Sequence, residues 1–155
     1  GYMNLIENKT FDLERSLYNL KDTKVINCLF KGINDGESVL KEAKDIELEK
    51  CSFSLRYPLW HNDNFKIYEC DFDEYSRAPI WYSNNGEIRS CKITSIKALR
   101  ECNDIIIDNC DITKQHDISF LQLHQRCYKS QNLAKHLIDC IILLAILQGH
   151  LLTLL

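Results

Sequence analysis

The sequence predicts an all-β fold, a parallel β-helix (a solenoid) of about five coils followed by a non-repeating apolar tail. Three observations predict it. Cys28, Cys51, Cys70, Cys91 and Cys110 recur 23, 19, 21 and 19 residues apart. Their flanks keep step: Val25, Leu48, Ile67, Ile88 and Ile107 stand three residues before, and Phe30, Phe53, Phe72, Ile93 and Ile112 two after. Six before stand Asp22, Asp45, Asn64, Asn85 and Asp104, and eleven before stand Leu17, Leu40, Leu59, Ile80 and Leu99. A register held over five copies of about 20 residues marks a solenoid, whose copies bury their apolar faces only against one another.

The spacing of two after each cysteine is a strand spacing, and Val, Ile and Phe are strand formers. No copy is long enough for a pair of helices, and the leucine and asparagine consensus of leucine-rich repeats is missing. Coils of such a helix stack about 4.8 Å apart. The Asp/Asn column marks a bend, because these residues tolerate left-handed backbone and bond their own main chain. A calcium site is the competing reading of that column. Calcium gathers several oxygens around one point, whereas these are spread along a line, so no metal is expected.

Residues 1–15 are expected to be a lead-in or cap, with Glu7, Lys9, Asp12, Glu14 and Arg15 to charge an otherwise sticky edge. The coils occupy residues 16–112. Coil one runs from Ser16 to Phe30, and the loop Lys31–Gly36 carries glycines where a turn needs them. Coil two runs from Glu37 to Phe53. Coil three holds Pro58 and coil four Pro79, both twelve before the cysteine, a place where the backbone N–H is expendable. Coil five runs from Ile96 to Ile112. Between coils, 6, 2, 4 and 2 residues precede the position fourteen before the next cysteine. Insertions in solenoids fall on one face, often the binding face.

A chain of 155 residues, 45% hydrophobic, has ample core for one domain. A net charge of −3 gives no basic stripe for nucleic acid. Eight cysteines would suit a secreted disulfide protein, but no signal peptide surrounds Met3 and a cytoplasmic location is expected. There, five thiols in an apolar column act as small hydrophobes. Side chains stacked in parallel do not meet disulfide geometry, and no C-x-x-C pair suggests zinc. No cofactor is expected.

The blocks SLYNLKDTKVINCLF, GESVLKEAKDIELEKCSFSLRYPLWH, RAPIWYSNNGEI and IKALRECNDIIIDNCDI resemble a bacterial family of right-handed β-helix proteins of unknown function, related in fold to pectate lyases. The resemblance covers about Leu5 to Ile112. It implies the fold and its right hand, and carries over no catalytic residues. Residues 113–155 depart: Cys127 and Cys140 break register, and Leu137 to Leu155 is a nearly continuous apolar run. A helical cap, a poor membrane segment interrupted by Asp139, and a shifted or truncated reading frame are the three readings of this tail.

Ten before the cysteine stand Tyr18, Lys41, Trp60, Trp81 and Arg100, which strand alternation points outward. Arg56, Tyr57 and Arg77 lie close by. Flat rings bind sugar faces and arginine grips carboxylates, so Trp60, Trp81, Arg56, Arg77, Tyr57, Arg100 and Tyr82 are the candidate ligand-binding residues. A self-satisfied ladder of rings and cations, or an interface with another chain, is the bland alternative. Nine before the cysteine, Glu42 neighbours His61 and Tyr82 neighbours Glu101. With Arg56, the residues His61, Glu42 and Glu101 are the candidates for acid–base catalysis.

The expected function is a non-catalytic scaffold or binding module that offers this face to a glycan or protein, homo-oligomers included. The alternative is a polysaccharide lyase or glycoside hydrolase using the same face.

Overall fold

The computed structural model describes residues 2–112 and the strand Tyr128–Lys129. It is a parallel β-solenoid of about six turns. Each turn supplies one long and one short strand. The long ones are β1 (Asn4–Glu7), β3 (Lys21–Ile26), β5 (Lys44–Glu49), β7 (Asp63–Tyr68), β9 (Asn84–Arg89) and β11 (Asn103–Asp108). The short ones are β2 (Thr10–Phe11), β4 (Leu29–Phe30), β6 (Ser52–Phe53), β8 (Asp71–Phe72), β10 (Lys92–Ile93) and β12 (Asp111–Ile112). With β13 (Tyr128–Lys129), the long strands form one seven-stranded sheet in the order β1-β3-β5-β7-β9-β11-β13, and the short ones a six-stranded sheet.

Register follows the columns. Val25, Leu48 and Ile67 pair in line, as do Phe30, Phe53 and Phe72. All five cysteines of the column are buried, and so is Cys102. Among the described residues no disulfide joins these six thiols. Thiols of the column donate instead to backbone carbonyls, Cys70 to Tyr68 at 3.3 Å and Cys110 to Ile88 at 3.4 Å. Burial pushes the Cys28 and Cys70 thiols up from their ordinary value, which keeps them protonated and unreactive. Hydrogen bonds with neighbouring thiols pull Cys51 and Cys91 the other way. Burial, at 3% exposure or less for all six, is therefore what bars a thiol reagent. With Cys127 and Cys140 replaced by serine, the reagent at pH 8 should modify none of the six until denaturant is added. It should then modify all of them together.

Residues 4–11, expected as a lead-in, are a rung of the same kind. Ile6 pairs with Val25 and Phe11 with Phe30, so Lys9 stands where later coils have cysteine. Phe11, Phe30, Phe53 and Phe72 stack face to face, with centroids 5.5, 4.6 and 4.5 Å apart. Five before the cysteine the core column mixes sizes: the Phe65 ring fills the space that Gly86 leaves on the next rung.

The Asp/Asn column bends as expected. Asp22, Asp45, Asn64, Asn85 and Asp104 all have φ between 49° and 57°. The aliphatic column is left-handed too, with Leu17, Leu40, Leu59, Ile80 and Leu99 at φ 56° to 62°. So are Asn19, Glu42, His61, Tyr82 and Glu101, two residues on. The segment thus alternates the sign of φ at alternate residues and is not a strand. Its N–H groups bond between rungs: Leu59 to the Val39 carbonyl at 3.0 Å, Ile80 to Pro58 at 2.9 Å, and His61 to Trp81 at 3.0 Å. Pro58 and Pro79 fall between these donors, which is why a missing N–H is tolerated there.

On the outer face of the long-strand sheet, four before the cysteine, Lys24, Glu47, Lys66 and Glu87 lie in register on successive rungs with alternating charge. Cross-strand pairs of opposite sign of this kind stabilise a sheet modestly. Among the described residues no helix is long and apolar enough to cross a membrane. The proposed cap, membrane segment or shifted frame in residues 113–155 lies outside the described residues, apart from β13. That strand pairs in parallel with β11, Lys129 opposite Ile107.

Candidate binding face

Trp60 and Trp81 sit on successive rungs because they share one position in the repeat, and their indoles stack 4.8 Å apart at 9°. Neither side chain projects freely. The Trp60 indole N–H donates to the Ala78 carbonyl at 2.8 Å, and that of Trp81 to the Lys97 carbonyl at 2.6 Å, each one rung on. The guanidinium of Arg100 lies over Trp81 at 5.1 Å. The rings are therefore half-buried, folded along the solenoid axis. Alternation of φ sign explains the difference from the outward pose that strand geometry predicts.

Tyr82 stands edge-on to both indoles, 5.5 Å from Trp60 and 5.9 Å from Trp81. Its other neighbour is His61, stacked at 5.1 Å. Tyr57 tilts against Trp60 at 5.4 Å and carries Arg56 near its ring at 5.9 Å. Arg56 also reaches Asp35 at 3.4 Å and Glu37 at 3.7 Å. Arg77 is exposed, and among the described residues it makes no ion pair. The structure thus gathers Tyr57, Trp60, His61, Trp81, Tyr82 and Arg100 into one ridge, with Arg56 and Arg77 at its border.

The nominated acid–base pairs are not brought together in the same way. Glu42 accepts a hydrogen bond from the Tyr18 hydroxyl, and that contact raises the pKa of the exposed tyrosine. His61 meets a ring face rather than a carboxylate. Glu101 is exposed at the far end of its column. Among the described residues no cluster of three or more His, Cys, Asp or Glu side chains has the arrangement of a metal site.

Sequence reasoning missed the role of Tyr18, which ties Glu42 down. The two stand one rung apart at neighbouring repeat positions, a pairing that columns alone do not reveal.

The family described as "Protein of unknown function (DUF3737)" matches residues 4–134. The match runs on beyond Ile112, where the columns fade, and takes in β13. No curated protein matches the chain. Among solved structures, two trypsin-treated forms of QnrB1, a plasmid-mediated fluoroquinolone resistance protein, are similar over most of their length. One is 13% identical, with TM-score 0.37, over 90% of this chain and 88% of that one. The other is 12% identical, with TM-score 0.35, over 91% and 95%.

Proposed function

We propose that this chain, which belongs to the DUF3737 family, is a non-catalytic β-solenoid scaffold that presents the ridge of Tyr57, Trp60, His61, Trp81 and Tyr82 to a protein partner. The stacking of the two indoles carries this reading. A sugar platform needs an open ring face, and here the facing sides of Trp60 and Trp81 cover each other while Arg100 lies over Trp81. What remains accessible is a row of ring edges, the exposed Tyr82 and His61, and nearby arginine. Tyr, Trp and Arg are the residues enriched where protein interfaces hold most of their binding energy. The lyase alternative rests on the pectate-lyase-like resemblance, and the positions of Glu42 and His61 add nothing to it.

Glycan arrays and in-cell photo-crosslinking test the proposal together. A photoreactive residue at Tyr82 should give one discrete protein adduct, with none from the same probe at Lys92. With the captured protein purified, His61→Ala and Tyr82→Ala should each weaken its binding about tenfold, typical of truncating an interface anchor. A glycan that binds the wild type and is lost with Tyr82→Ala would overturn it.

A further inference from the structure

The corner beside the ridge carries a charge pattern that matches itself in reverse. Fourteen before the cysteine, four successive rungs bear the charged residues Glu14, Glu37, Arg56 and Arg77, and the next bears the uncharged Ile96. Backbone bonds fix them in one line: Arg15 donates to the Glu37 carbonyl, Ser38 to Arg56 and Tyr57 to Arg77, at 2.9, 3.0 and 2.8 Å. The Glu14 carboxylate accepts from the Glu37 N–H at 3.1 Å. The line is thus acid, acid, arginine, arginine over about 15 Å at the spacing of stacked strands.

We infer that this corner is a two-fold interface with a second copy of the same chain, packed antiparallel. A two-fold axis crossing the line between Glu37 and Arg56 sets Glu37 against Arg56 of the second copy and Glu14 against its Arg77. Such an isologous contact is the commonest kind in homo-oligomers. The apolar residues obey the same symmetry. Leu13 beside Glu14 and Tyr75 beside Arg77 are 63% and 67% exposed, and the axis exchanges their rungs, so each meets the other. Ile33, 99% exposed, sits at the tip of the six-residue loop entering the Glu37 rung and faces the Arg56 rung of the second copy. That loop is held in place: Asp12 accepts from the Asn34 backbone and side chain at 3.1 and 3.0 Å. The interface also gives Arg77 a carboxylate.

This surface adjoins the aromatic ridge at Arg56 and Arg77. Self-association of the purified chain is measured without any other protein, however, so the inference stands or falls without the proposed partner. Charge reversal tests it, with sedimentation velocity on the full chain as the readout. The wild type should dimerise, and Arg77→Glu or Glu14→Arg alone should each weaken dimerisation at least tenfold, because each sets like charges together at both ends of the line. The double variant Glu14→Arg/Arg77→Glu should recover it. An equimolar mixture of the two single variants should form a mixed dimer, since every contact there is again of opposite sign. A wild type that stays monomeric, or single variants that dimerise as tightly as the wild type, would overturn the inference. Circular dichroism of each variant identifies any loss that comes from unfolding, and the mixed dimer can form only from folded chains.

Discussion

Phe53→Ala should lower the unfolding free energy by about 3–5 kcal/mol, read from the urea midpoint. The ring is 1% exposed and sits mid-stack, between Phe30 at 4.6 Å and Phe72 at 4.5 Å, nearly parallel to both. Truncation opens a cavity between two rungs and removes two ring contacts at once. Against the 5–15 kcal/mol that usually separates folded from unfolded chains, this is a large share. Phe11→Ala is the internal control. It stands at the end of the stack, half-buried with a ring on one side only, and should cost clearly less. Solenoid stability is a sum over neighbouring repeats, so position along the stack should matter more than residue type. Equal costs at the two sites would contradict that picture.

Gly86→Val should cost about 1–3 kcal/mol or more through overpacking. A Cβ at this position would lie 2.2 Å from Cζ of Phe65 and 2.4 Å from its Cε2. The ring sits within the core, 1% exposed, so it has nowhere to swing. The glycine is needed for space, not for its backbone freedom. If so, Phe65→Leu should relieve part of the damage in the double variant. A double-mutant cycle should return a coupling of about 0.5–3 kcal/mol, as expected for residues in contact. Additive effects would mean that the two do not touch.

The repeat was legible because cysteine, a small residue usually buried, marked each coil in the same place. The same marker hid the rung at residues 4–11. Ile6, Asn8 and Phe11 stand 19 residues before Val25, Asn27 and Phe30, yet Lys9 replaces the cysteine and the column ends one turn early. The left-handed turn at Asp and Asn was legible from their chemistry. That of Leu40, Leu59 or Ile80 was not, because an aliphatic at positive φ costs about 1–2 kcal/mol and no local rule places it there. Full burial of these side chains and a hydrogen bond to the preceding rung offset that cost, and both are properties of the stack. For the aromatic ridge, the columns placed Trp60 over Trp81 in register and missed their pose. The indole N–H bonds to Ala78 and Lys97 depend on where the next rung's carbonyls point.

The alternation of Lys24, Glu47, Lys66 and Glu87 on the outer sheet bears on how such a chain avoids misthreading. Because all coils look alike, a growing helix that skipped one would still find a well-shaped apolar seat. Skipping the second coil would set ammonium against ammonium, and skipping the third would set carboxylate against carboxylate, each a repulsive pair directly across the ladder. The surface column thus works as a parity check on the two middle coils, and it stops where Leu5 faces Lys24 at one end and Ile106 faces Glu87 at the other.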